Sequence, residues 1–453
     1  MNILNSNILT WFGIIIRERF GIPIYVTYKN KKIIFFLENN QNYITIDELQ
    51  SDFYTPNLEL SFRIWDGQNE GWKTILEKPL PAPTNKDLPT PMIEKKSYGY
   101  NINYDILGLI YWMLNRLEEI GCATLDKHQR FPATSSHAYK HGYLERPIVD
   151  EWLYILGQVI QKVWPQLKLK EHAFNTKVSH DVDSPSLYAF QTYSSICRTM
   201  AGHLIKRRDF KAFFTTPYTK LTSRTKLLPI DPYNTFDWLM DVSEANNLQS
   251  AFYFICGRTD KNKDADYEPD HPIIRDLMRR IHARGHEIGL HPSYGTYQKP
   301  YLIDSEAKRL KRICDEESIK QSVWGGRMHY LRWEHPTTLQ AWNDAGMDYD
   351  STLGYADHPG FRCGTCFEYP AFNPLTQQLL DIRIRPLVVM ESSIIDSIYL
   401  GLGDGDESLN KFLELKKTCN KVNGTFTLLW HNSYLSSNSL KMIYKNCLQY
   451  LLR

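Results

Sequence analysis

The chain has 453 residues, 42% hydrophobic and 23% charged, with a net charge of +2. Near-neutrality removes the long-range electrostatic argument for a nucleic-acid partner, and the apolar and aromatic content excludes wholesale disorder. The length exceeds one ordinary core, so two domains, or one large barrel with an appendage, are expected.

Taken in order, an apolar run over residues 8–16 is followed directly by Arg17, Glu18 and Arg19. It is too short to span a bilayer and lacks the basic-first, small-residue-last order of a signal peptide, so it reads as a buried helix. A cytoplasmic protein without a transmembrane segment is expected. Ile24-Tyr-Val-Thr-Tyr28 and Lys32-Ile-Ile-Phe-Phe-Leu37 flank a short polar turn and predict a hairpin. It belongs to a small N-terminal α+β domain over residues 1–78. Pro79, Pro81, Pro83, Pro89 and Pro91 then mark residues 79–100 as a linker.

Residues 101–174 read as a helical connector. Ile106, Leu107, Ile110, Leu114 and Leu117 recur at helical spacing, as do Trp152, Ile155, Leu156, Val159, Ile160 and Val163. Two amphipathic helices packing on the next domain are predicted. Between them, the His-, Tyr- and cation-rich residues 127–141 read as a surface connection, with draping over a cleft as the alternative.

From residue 175 strands and helices alternate. Thr176-Lys-Val-Ser-His-Asp-Val-Asp183 is a strand that ends in two carboxylates. Residues two apart share one side of a strand, so Asp181 and Asp183 leave it together. Such a pair needs a metal, a shared proton or a cationic partner; capping a turn is the plainer role. A poorly patterned insertion to about residue 228 carries the basic cluster Lys206-Arg-Arg-Asp-Phe-Lys211, which reads as a solvated helix face, with a phosphate or membrane-surface patch as the alternative. Further helices are predicted at 236–245, at 273–281 with a stop near Gly285, after Asp304, and between Pro336 and Gly346. Strands are predicted at 251–255, 286–290, 323–326, 380–384 and 424–430. Repeated βα units predict a parallel sheet, with enough units for a barrel.

In such barrels chemistry sits where strands end and loops begin. His291, Arg327 and His431 stand at further strand ends. Each alone is most often structural; together with Asp181 and Asp183 they form a candidate constellation. Eight cysteines are too sparse for a disulfide framework, and Cys363-Gly-Thr-Cys366 has no second such pair to complete a zinc ribbon. Buried free thiols are expected.

The order Ser-His-Asp-Val-Asp, Gly285-His-Glu-Ile-Gly-Leu-His291, Arg327-Met-His-Tyr330 and Leu429-Trp-His431 resembles the polysaccharide deacetylase family, the chitin-deacetylase-like carbohydrate esterases, over about residues 175–434. The resemblance implies a distorted seven-stranded (β/α) barrel, here residues 175–453. It also implies metal-assisted removal of an N-acetyl group from a sugar or surface-polysaccharide precursor, with a divalent metal, zinc or similar, as cofactor. Carried over by position, Asp181 is the general base, Asp183 and His291 hold the metal, Arg327 orients the base and His431 is the acid. Val182 separates aspartates that are adjacent in the family, so the roles of Asp181 and Asp183 stay exchangeable. The family's second metal histidine is Gly295 here. His329 stands where the family usually has a proline and is the candidate replacement, with His286 placed at the far end of its strand. Tyr294, Tyr330, Trp333 and Trp430 are the candidate substrate-binding aromatics. The alternatives are a metal-free amide or cyclic-amide hydrolase on the same barrel, and a catalytically silent carbohydrate-binding scaffold.

Overall fold

The computed structural model describes residues 5–47, 51–208, 210–223 and 225–449. Asp209 and the side chains of Lys206, Arg207 and Lys211 are not among them, so the expected basic helix face lies outside the described residues.

Helix α1 (Ser6–Phe20) starts at Asn5, whose side chain accepts from Ile8 N, and stops at Gly21 with φ 67°. Strands β1 (Tyr25–Lys29) and β2 (Lys32–Phe36) form the predicted hairpin, turned at Asn30 and Lys31, both in the left-handed region. Next come β3 (Tyr43–Asp47), β4 (Phe62–Trp65), β5 (Leu80–Pro83), β6 (Ile93–Lys96) and β7 (Gly99–Ile102). They build a five-stranded sheet in the order β1-β2-β3-β7-β6 and a separate β4–β5 pair. Residues 79–100 are therefore not a structureless linker. Pro81 and Pro83 lie on β5, whose one partner among the described residues is β4; an edge strand tolerates missing N–H donors.

Helices α2 (Ile106–Leu114), α3 (His137–Lys140) and α4 (Ile148–Val163) follow. Helix α2 is buried on every side rather than amphipathic. Helix α4 packs on β3, β5 and β7 and also meets the second unit at its first turn, where Val149 N donates to Gly364 O and Asp150 accepts from Thr365 Oγ1 and Cys366 N.

The second unit runs β8 (Asn175–Val182), α5 (Tyr193–Gly202), α6 (Phe210–Thr222), α7 (Phe236–Ala245), β9 (Ser250–Ile255), α8 (Pro272–Ala283), β10 (Glu287–His291) and α9 (Pro300–Glu316). It continues with β11 (Gly325–Gly326), α10 (Thr337–Asp344), β12 (Tyr349–Asp350), β13 (Tyr369–Asn373), β14 (Gln378–Ile384), β15 (Val389–Met390), α11 (Glu391–Ile395), α12 (Asp406–Lys421), β16 (Thr425–Leu429) and α13 (Asn438–Leu448). The strands form one sheet in the order β13-β14-β12-β11-β10-β9-β8-β16-β15, parallel except for β13 against β14.

This is the strand order of a (β/α) barrel, yet among the described residues no ladder joins β14 to β15. Strands β14 and β15 are consecutive parts of one run of chain, residues 378–390, so the expectation of a seven-stranded barrel is met in part: the parallel strands stand in barrel order, without a continuous ladder closing them. That run bonds to both neighbours: Arg385 N donates to Asp350 O and Leu387 N to Leu353 O on the β12 side, and Val388 N to Thr427 O on the β16 side. Strand β11 is admitted only because it is glycine, since a Cβ on Gly326 would stand 1.8 Å from the Leu290 carbonyl oxygen. Helix α1 packs on β13 and β14 and so ties the first unit to the second.

Candidate functional site

Parallel pairing brings the C-terminal ends of β8, β10, β11, β15 and β16 to one face of the sheet. Asp181 Oδ1 accepts from Arg327 Nη1 at 2.8 Å. Arg327 is fixed in turn, with Nε and Nη2 donating to the Ser351 carbonyl and hydroxyl at 3.0 Å each. Both members of the pair are buried. The other oxygen, Asp181 Oδ2, lies 3.7 Å from His291 Nε2.

Asp183 sits at the centre of three imidazoles. Its Oδ1 is 3.2 Å from His291 Nε2 and 3.6 Å from His329 Nε2, and its Oδ2 is 3.5 Å from His431 Nε2. The opposite nitrogen of each ring is engaged. His291 Nδ1 donates to the Arg327 carbonyl at 2.6 Å, His329 Nδ1 to Asp264 Oδ1 at 2.9 Å, and His431 Nδ1 to Glu391 Oε1 at 2.5 Å. These bonds assign the tautomers and turn every Nε2 toward Asp183.

Asp183, His291 and His329 offer one ligand atom each, all within 4.8 Å of one another. Asp183 Oδ1 and His291 Nε2 are buried and have no hydrogen-bond partner. Such orphaned atoms are costly unless a cation satisfies them. Backing of ligand imidazoles by a carbonyl and a carboxylate is what metal-bound histidines use. One carboxylate and two imidazoles fit a zinc-like catalytic site, which keeps three protein ligands and an open position. Residue 295 takes no part: Gly295 N donates to Thr259 Oγ1 at 2.6 Å. His329 instead brings a ring nitrogen, Nε2, to 3.6 Å from Asp183 Oδ1 from beyond the end of β11. His286 stands at the other end of β10, where its Nδ1 accepts from Ser250 N.

Proximity of so many charges moves their titration. Burial alone pushes His431 and His329 down, but their carboxylates outweigh it. Glu391 and Asp183 raise His431 to about 10, and Asp183 and Asp264 raise His329 to about 9. Asp183 is held well below the usual carboxylate range, burial being overcome by His329 and His291. A proton on His329 Nε2 and a cation compete for one lone pair.

His329 is aimed by a strained turn. Tyr330 and Leu331 have φ 61° and 55°, a left-handed conformation that costs about 1–3 kcal/mol per non-glycine residue. Arg130 Nη1 holds the turn by donating to the Tyr330 carbonyl at 2.9 Å, and His128 Nδ1 meets Tyr294 Oη at 3.1 Å. The start of segment 127–141 thus drapes over the site. The resulting cavity of about 300 Å³ is lined by the acidic and imidazole groups together with Arg130, Tyr330, Ser392, Tyr399 and Tyr434.

Of the predicted aromatics, Tyr330 faces this cavity, and Tyr294 packs edge-on against Tyr330 at 5.2 Å. Trp333 and Trp430 are placed elsewhere. Trp333 is buried against His335, and Trp430 is fully buried between Phe412 and Tyr444. Leu429 and His431 line the cavity, and side chains along an extended segment alternate, so Trp430 must point away. Three participants had no distinguishing signal in the sequence: Arg130, Asp264 and Glu391. Glu391 follows a two-residue strand too short to show a period, and Asp264 lies in the loop after β9. Cys363 and Cys366 are buried thiols.

Residues 4–165 match the model of a family of unknown function, DUF7033, which ends before β8. No curated protein matches the chain. Among solved structures, one similar chain is assigned as a polysaccharide deacetylase from Mycobacterium smegmatis, at 14% identity and TM-score 0.38, covering 61% of this chain and 83% of that one. Another is Puue allantoinase, at 12% identity and TM-score 0.36, with the same coverage of 61% and 83%.

Proposed function

We propose that this protein hydrolyses an amide bond, removing an N-acetyl group from a sugar or surface-polysaccharide precursor. The observation that carries the proposal is the convergence of Asp181, Asp183, His291, His329 and His431 on one cavity, with Asp183 Oδ1 and His291 Nε2 left unsatisfied. The motif resemblance over residues 175–434 supplies the substrate class. A divalent ion held by Asp183, His291 and His329 would supply Lewis-acid polarisation of the acyl oxygen and acidify water.

The pairing with Arg327 favours Asp181 over Asp183 as the base. Arg327 clamps Asp181 Oδ1 and leaves Oδ2 to accept the proton of the attacking water as its oxygen adds to the acyl carbon. Glu391 holds His431 through Nδ1, so His431 Nε2 faces the cavity and delivers a proton to the departing nitrogen. The products are a carboxylate and a free amine. Tyr330, Tyr399 and Tyr434 offer ring faces and hydroxyls to a sugar, and Arg130 narrows the mouth.

The test uses the full chain supplied with zinc and N-acetylated hexosamine oligomers. Acetate release is expected, abolished by a chelator and restored by added metal. Asp181→Asn lowers kcat by about 10²–10⁴-fold without changing metal content. A protein that carries one metal per chain yet releases acetate from none of these oligomers would refute the proposal. Opening of a cyclic amide in place of acetate release would move the activity to the cyclic-amide class.

A further inference from the structure

The insertion after β8 is built the wrong way round for a helical pair in water. Helix α5 leads through a π-helical turn over residues 203–207 into α6, and the three segments pack on one another. On α6, Phe210, Phe214, Tyr218 and Leu221 recur at helical spacing and so share one face. They are 62%, 69%, 56% and 57% exposed, whereas Thr216, Thr219 and Ser223 are buried. Tyr193, Leu204 and Ile205 on the adjoining turns are exposed as well. A helix that buries hydroxyls and presents aromatics to solvent reverses the usual amphipathic order, and an apolar face of this kind marks a contact surface.

Its charge says what it contacts. Counted from the sequence, residues 191–226 carry Arg198, Lys206, Arg207, Arg208, Lys211, Lys220, Arg224 and Lys226 against one acidic residue, Asp209. Eight basic residues less one acidic give +7 on a chain of net +2, so the rest of the molecule carries −5. Aromatic and leucine side chains interleaved with Lys and Arg are the composition of helices that lie in a membrane interface. No described helix is long and apolar enough to cross a bilayer. The insertion leaves the sheet at Asp183, and its first residues, among them Ser184, Ser186 and Phe190, line with Asp183 a cavity of about 350 Å³. It is therefore attached at the strand ends that carry the candidate site.

We propose that the α5–α6 insertion docks this protein on an anionic lipid surface, the stripe Phe210–Phe214–Tyr218–Leu221 entering the headgroup layer and the exposed Arg198 and Arg208 pairing with lipid phosphates. The proposal goes beyond the hydrolase assignment and stands without it. The experiment is flotation of the full chain with vesicles of phosphatidylglycerol and phosphatidylcholine, against vesicles of phosphatidylcholine alone. Binding to the anionic vesicles only is expected, falling about tenfold or more in high salt. Phe214→Ser with Leu221→Ser should lower the partition about tenfold or more, and Arg198→Glu with Arg208→Glu should lower it comparably. These side chains are exposed, so unchanged melting temperatures certify folding. Failure of the wild type to float, equal binding to neutral vesicles, or unchanged binding by the Phe214/Leu221 variant would each overturn the proposal. So would a concentration-dependent dimer that this same variant dissolves while vesicle binding is absent, because the stripe would then cover a second copy of the chain.

Discussion

His329 reaches Asp183 with Nε2 because Asp264 holds its Nδ1 and a left-handed turn follows it. Asp264 also accepts from Thr259 N and Tyr294 N, so one carboxylate organises the loop after β9 and orients the imidazole. In a zinc competition titration, Asp264→Ala should weaken affinity about 10–100-fold, the usual effect of losing such a backing group. His329→Ala should weaken it further. Adding Gly295→His to that variant should not rescue binding, since a Cβ at 295 would already press on Thr259 at 3.0 Å. Wild-type affinity in His329→Ala would remove this residue from the ligand set.

At the level of elements, α1 is the fastening between the two units. Trp11 is fully buried, donates from Nε1 to the Pro370 carbonyl at 2.8 Å, and packs against Phe372 at 5.4 Å and edge-on against Tyr111 at 6.0 Å. Trp11→Ala removes that packing and leaves Pro370 O without its donor. A loss of about 3–5 kcal/mol is expected, read as a lower urea midpoint. The apolar run over residues 8–16 announced a buried helix, but not that Trp11 would bond to Pro370, more than 350 residues away. The same holds for β15. Two residues cannot display an alternating pattern, and only its ladder with β16 makes it a strand and sets Glu391 beside His431.

For the molecule as a whole, Glu119 joins the first unit to the second. It accepts from Arg116 Nε at 2.7 Å and from Arg362 Nε at 2.9 Å, and all three side chains are all but hidden from solvent. Burial pushes the carboxyl up, but Arg362 and Arg116 outweigh it and hold it at about 2, below the ordinary 4.5. A folded-state pKa below the unfolded one stabilises at pH above the unfolded value, and the contribution disappears as pH falls from about 4.5 toward 2. Urea midpoints measured across that window should drop for the wild type. Glu119→Gln should flatten the Glu119 part of this dependence. At neutral pH it should cost about 3–5 kcal/mol, because the buried Arg362 guanidinium loses its carboxylate partner and Arg116 keeps only Glu118. A variant as stable as wild type at pH 7 would show that solvent already screens the pair.

Much of the site was legible from the chain alone. The i, i+2 spacing of Asp181 and Asp183, the placement of His291, Arg327 and His431 at strand ends, and the alternation of strands with helices follow from local periodicity, which neighbouring residues impose on one another. Tertiary structure decided the rest. It turned residues 79–100 into strands, brought Arg130 over the cavity and paired His431 with Glu391. It also turned Trp430 into the core and the aromatic stripe of α6 out to solvent. The reason is common to all of these. Contacts between residues far apart in the chain leave no repeating mark in the sequence, and a side chain's direction is settled only when its strand or helix has a partner to bury against.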